Sequence, residues 1–311
     1  MATRNFLERA LTGENQWWKY LMVFLVIVFG GSRMGHIPYY IVSLIQSIQN
    51  TGVSSENTVK LFSKLPSNNL AFGLMMLGPA MTLVLAIILI KAIHNRNFSE
   101  TVNGTNSVRW NKTLFAFAVG FALMTIFWGV DYFLHADNYV FQLNWSRFSV
   151  LFVLSIVLLP LMAISEQLIF SGYLLQGVGA GTHSRWWALI IPPVIVGLLH
   201  SFDSPEVKQF GMILSTGQYL FLGLLFGLIA ILDDGIELSI GLYAALEVFL
   251  ALFITYSTSL VPTDAVFDMQ KFDPFRDVIS QITVCLIAFF IFYKKYGWSF
   301  RIMNERVGEP R

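Results

Sequence analysis

The chain has 311 residues, 55% of them hydrophobic and only 13% charged, with a mean hydropathy of +0.63 and a formal net charge of +1. Soluble domains carry about 25% charged residues, so these figures exclude a soluble globular protein and predict a polytopic, all-α membrane bundle. The near-zero net charge excludes nucleic acid as a partner, because that would need a basic surface.

The N-terminal stretch MATRNFLERALTGENQWW is polar and amphipathic, with no apolar core leading to a small-residue cleavage site. No signal peptide is expected, and the first membrane helix would direct insertion. A spanning helix needs about 20 largely apolar residues. Eight stretches approach that: 17–34, opened by the interfacial pair Trp17–Trp18, then 69–93, 113–134, 148–164, 186–201, 210–232, 236–257 and 278–293. Between the first two, HIPYYIVSLIQSI (36–48) reads as an amphipathic interfacial helix. Pro160 predicts a kink or an end to the fourth span, and Ser165 reads as the cap of a separate helix running to 178. The connections 135–145 and 258–276 are polar enough for outer loops, the second with Asp264, Asp268 and Asp273.

Arg4, Arg9 and Lys19 precede the first span. Lys91, Arg96, Arg109 and Lys112 surround the second connection between spans, and Lys294, Lys295 and Arg301 come after the last. The positive-inside rule then places both termini in the cytoplasm, as an even number of spans requires, in a plasma or inner membrane. Arg33, Lys60 and Lys64 in the first outer segment run against the rule, which weakens over so long a segment. No tandem repeat or soluble-sized insert interrupts the chain, so 1–311 reads as one membrane domain. The lone Cys285 can form no intrachain disulfide and reads as a small buried residue.

Glu166, Gln167 and Ser171 stand in the otherwise apolar run ISEQLIFSGYLLQGV (164–178). A carboxylate at membrane depth costs at least ~2.5 kcal/mol, so it has a partner or a task. It is either a structural group satisfied by neighbouring helices or part of a wet cavity. His200 is the other ionisable group deep in an apolar run. Asp233, Asp234 and Glu237 stand at one end of the seventh span, where the two aspartates read equally as a cap, and Glu247 lies within it. Convergence on one cavity would remove most of the desolvation cost that each bears separately. Residues four apart share a helix face, which pairs Gln167 with Ser171 and Tyr243 with Glu247. A glutamate holding a water and a histidine shuttling its proton suffice for hydrolysis.

The order ISEQLIFSGYLL, VGLLHSFDSPEV, DDGIELSIGLYAALEV resembles the three motifs of the CPBP family, the CAAX-processing and bacteriocin-processing intramembrane endopeptidases, also called Abi or Rce1-type. The similarity covers about 148–252. The family's first motif is two adjacent glutamates with an arginine four after the second, here Glu166, Gln167 and Ser171. Its second is an aromatic four before a histidine, here Val196 and His200. Its third is a histidine four before an asparagine, here Tyr243 and Glu247. The resemblance implies that Glu166 and His200 activate a water and that positions 243 and 247 hold the oxyanion.

Four of these polar positions depart. Replacing a glutamate–arginine pair by Gln167 and Ser171 removes both charges, whereas breaking only one would cost ~3–5 kcal/mol. In the third motif, Tyr243 can still donate, but an ionised Glu247 would repel developing negative charge. Losing one oxyanion donor typically costs ~10²–10³ in rate. A proton shared between Glu247 and Glu166 would restore a donor. Two readings are open: a variant glutamate-dependent endopeptidase, or a pseudoprotease that uses the same cavity to hold a membrane-embedded or membrane-proximal peptide or protein, or a membrane-protein complex partner. A small-solute transporter or another scaffold subunit is the alternative, although a transporter would carry an internal repeat. With five histidines and only His200 placed for the cavity, neither a zinc site nor any other cofactor is expected.

Overall fold

The structure, a computed structural model, describes residues 5–50, 68–105, 107–201, 211–256 and 262–308; the side chains of 46–50, His200 and Ser201 fall outside that description, as do Arg4, Lys60, Lys64 and most of the polar turn after His200. Helix α1 runs through Trp17–Leu25, the π-helical Val26–Gly31 and Ser32–Asn50 without a break. Helix α2 is Asn68–His94, α3 Trp110–Leu134, α4 Trp145–Thr182, α5 Arg185–Ser201, α6 Met212–Asp233, α7 Glu237–Phe253 and α8 Pro274–Tyr296.

Among the described residues six helices are long and apolar enough to cross a membrane: α2, α3, α4, α6, α8 and the 17–45 part of α1. Helices α5 and α7 have 17 residues each, at the short end of a membrane crossing. The chain is a polytopic helical bundle.

Two expectations are corrected. The stretch 36–48 is not a separate interfacial helix but the second half of α1. Its Tyr39 and Ser43 are buried, while Ile37, Tyr40, Ile41 and Leu44 are about half exposed. A helix with its small and polar side inward and its apolar side toward lipid shows the same periodicity as one lying on a surface. The contact it makes is close: a Cβ on Gly35 would stand 2.3 Å from the Leu77 carbonyl oxygen, and one on Gly31 2.7 Å from the Thr82 Cα. Likewise Pro160 does not end α4, and Ser165 caps nothing. Both lie inside a 38-residue helix, with Ser165 buried. Proline is tolerated inside membrane helices because neighbours re-satisfy the freed backbone.

The predicted outer loops hold the short strands β1 Tyr139–Phe141 and β3 Phe267–Met269, while β2 Ile254–Tyr256 takes the last residues expected of the seventh span, which ends as a helix at Phe253. The order is β1-β3-β2, with β1 antiparallel and β2 parallel to β3. Helix α7 is the bundle's axis, buried along most of its length against α3, α4 and α6. Small residues permit that: a Cβ on Gly241 would stand 2.1 Å from the Thr113 carbonyl oxygen, and one on Gly120 2.9 Å from Ala245 Cβ.

Candidate functional site

The first motif sits where α4 changes pitch. Trp145–Gln167 is α-helical, Leu168–Leu174 is π-helical, and Leu175–Thr182 returns to α. A π-turn adds a residue to the ring and rotates the rest of the helix about its axis, and such turns gather at functional sites. Here it buries Ser171 and Tyr173 together. Gly172 allows it: a Cβ there would stand 3.0 Å from the Thr101 carbonyl oxygen. Ser171 Oγ donates to Gln167 Oε1 at 2.8 Å, both residues being buried. The neutral pair thus closes on itself where the family has an ion pair, as the i, i+4 spacing predicts.

Glu166 is only partly buried and points elsewhere, toward α7. The Tyr243 hydroxyl donates to the Glu166 carboxylate, and Glu247 and Tyr219 lie within electrostatic range of the same hydroxyl. Tyr243 also packs on Phe226, with ring centroids 5.8 Å apart. Helices α4, α6 and α7 therefore bring Glu166, Tyr219, Tyr243 and Glu247 to one place, and Tyr219 is a member that the motif reading missed. Val196 is buried on α5, and His200 is the next-to-last residue of that helix, its side chain outside the described residues. Helices α5 and α6 meet at Gly223, where a Cβ would stand 3.0 Å from Pro193. At Gly197 the corresponding distance is 3.6 Å, ordinary contact, so closeness there does not require the glycine.

The acidic groups around the start of α7 are taken up in other contacts. Glu237, fully buried, takes a two-pronged bond from Arg109, Nε at 3.0 Å and Nη2 at 2.5 Å, and accepts from the Asn103 amide. Asp233 accepts from Lys112 Nζ at 2.7 Å and from the Trp298 indole at 3.3 Å. Asp234, in a left-handed conformation (φ 59°), accepts from the backbone N–H of Phe6 at 2.6 Å. Glu237 precedes Tyr243 by six residues, roughly 9 Å along the axis. The DDGIEL segment is a structural lock that joins the loop after α2, the start of α3, the N-terminal segment and the segment after α8.

A second buried network was not legible as one. His94, fully buried at the end of α2, donates through Nδ1 to the Glu14 carbonyl at 2.6 Å; its Nε2 stands 2.7 Å from the Tyr173 hydroxyl. Gln176 spends its whole amide: Nε2 donates to the carbonyls of Phe6 (2.7 Å) and Glu100 (2.9 Å), and Oε1 accepts from Arg96 at 2.8 Å. Hence GYLLQG serves mainly as scaffold, holding the N-terminal segment against the helix that carries Glu166. Nothing in the sequence around His94, between Lys91 and Arg96, marks it as buried.

The fold and this site define a polytopic membrane protein with an acidic, tyrosine-rich centre between its helices. Residues 145–249, from the start of α4 to near the end of α7, match the family described as Rce1-like, type II CAAX prenyl endopeptidase. Beyond that stretch, the chain is 29% identical over 289 residues to the Bacillus subtilis (strain 168) protein described as uncharacterized protein YyaK, which covers 91% of this chain and 93% of that one. The likeness therefore reaches the flanking helices as well. No solved structure matches.

Proposed function

We propose that this Rce1-like membrane protein holds a membrane-embedded or membrane-proximal segment of another protein at the Glu166–Tyr243–Glu247 centre without cutting it. The observation that carries this reading is the hydrogen bond from Tyr243 to Glu166. A carboxylate keeps further lone pairs after accepting one bond, but a tyrosine has a single hydroxyl proton, so this contact commits the Tyr243 donor that an oxyanion would need. Where the family places an amide donor, Glu247 offers a carboxylate. Each missing oxyanion donor costs about 10²–10³ in rate, and the two third-motif changes act on the same charge.

The test is a survey of protein termini in membranes from cells expressing the wild type or Glu166→Ala, together with Tyr243→His/Glu247→Asn. No new termini should depend on Glu166 in the wild type, and Glu166-dependent termini should emerge in the double variant. Cleavage by the wild type that Glu166→Ala abolishes would instead establish a variant endopeptidase.

A further inference from the structure

At the end of the molecule that carries both termini, the loop between α4 and α5 and the segment after α8 enclose a cleft of about 520 Å³. The two walls are pinned to each other. Val307 N–H donates to the His183 carbonyl at 3.1 Å, His183 Nδ1 donates to the Val307 carbonyl at 3.0 Å, and Arg185 Nε donates to the Glu305 carbonyl at 3.2 Å. This leaves Nε2 as the unbridged nitrogen of an exposed imidazole. Arg306 is exposed on the opposite wall. The one carboxylate of the lining, Glu305, lies 3.8 Å from the buried Arg185 guanidinium. With Arg185 and Glu305 facing each other, Arg306 and His183 make the lining basic, and Lys294, Lys295 at the end of α8 and Arg301 after it are further exposed cations outside the cleft.

Below the rim the chemistry changes at once. Trp186 and Trp187 open α5 about half exposed, and Phe300, Trp17 and Trp18 are exposed at the same end, the arrangement of an interfacial aromatic belt. From Trp186 an apolar stripe runs down α5 at four-residue spacing: Ile190 is 41% exposed, Val194 41% and Leu198 52%. Spacing of four keeps these side chains on one face.

We infer that this cleft is a binding site for an anionic phospholipid, its phosphate held by Arg306 and His183 and one acyl chain lying along Trp186, Ile190, Val194 and Leu198. Continuity decides for a lipid over a soluble phosphate, since a free anion has no use for the stripe. Basic pockets at the charged end of membrane helices bind such headgroups. The site is separate from the Glu166 centre and does not depend on its being active or inactive.

Native mass spectrometry of the detergent-purified protein, titrated with phosphatidylglycerol, phosphatidylcholine of the same chains, and inorganic phosphate, tests this. The wild type should retain one phosphatidylglycerol in strong preference to phosphatidylcholine, and phosphate should fail to displace it. Removing one cation near a headgroup is worth about a fivefold loss, and reversing it more, so Arg306→Gln should weaken retention by about fivefold and Arg306→Glu further. Both changes fall on an exposed side chain, and an unchanged melting temperature would show that they leave the fold intact. Val194→Ser, outside the cleft, should also weaken retention of the lipid. Equal retention by wild type and Arg306→Glu, equal binding of phosphatidylcholine, or displacement by phosphate would overturn the assignment.

Discussion

Arg109 and Glu237 show why a charge in this bundle need not be a catalytic one. The pair is bidentate, Glu237 is fully buried, and Asn103 and Asp233 satisfy more of the remaining polar atoms. Removing one partner of such a pair leaves the other stranded and costs about 3–5 kcal/mol. We expect Glu237→Ala to lower stability by that amount and Glu237→Gln by less, read as melting temperatures in detergent. Glu166→Gln should change stability little by comparison, because Glu166 is partly accessible and its described bond is from a tyrosine hydroxyl. Sequence alone put Glu166 and His200 first among the groups at membrane depth and left Asp233 and Glu237, at one end of the seventh span, open as members of the same cavity or as local structure. What separates the acids is whether a cation from a distant segment reaches them, and Arg109 stands 128 residues away from Glu237 in the chain.

Some helix ends were legible, those at 34 and 164 were not, and the pitch of helix interiors was not. The expected 69–93 became Asn68–His94, and 186–201 became Arg185–Ser201, because hydropathy and the interfacial residues mark where a helix leaves the apolar layer. The π-turns at Val26–Gly31 and Leu168–Leu174 have no hydropathy signature, since they change pitch and leave composition untouched. They arise where glycines let another segment press against the helix, as at Gly31 and Gly172. The α3–α7 crossing depends on the same device. With the Thr113 carbonyl 2.1 Å from any Cβ at position 241, Gly241→Val must push α7 off α3. Overpacking of this kind costs about 1–3 kcal/mol and sometimes more. The expected result is a lower melting temperature and reduced yield of folded protein, whereas Gly129→Ala, which meets nothing within 4 Å, should be tolerated.

Across the whole molecule, Leu11 lies against Gly308 and Glu14 bonds to His94, so both ends of the described chain gather at one end of the bundle. The strands β1, β2 and β3 gather at the other. Among the described residues six helices are long enough to cross; with the 17-residue α5 and α7 counted as crossings as well, eight passes would return the chain to its starting side. If that side is cytoplasmic, a cysteine at the exposed position 137 should react with an impermeant maleimide on intact cells, and one at the exposed position 301 only after permeabilisation. Cys285 is fully buried and leaves the background silent. The reverse pattern would invert the topology.

Composition and hydropathy by themselves determined the class of molecule, because burial in an apolar layer acts on every residue of a span and writes itself into the average, and the ordered motifs carried the resemblance of the central segment. Which acids are locked into the scaffold was decided only in three dimensions. Glu166 meets Tyr243 and Glu237 meets Arg109 through contacts between helices, and a pairing across such distances leaves no local pattern for a linear reading to find.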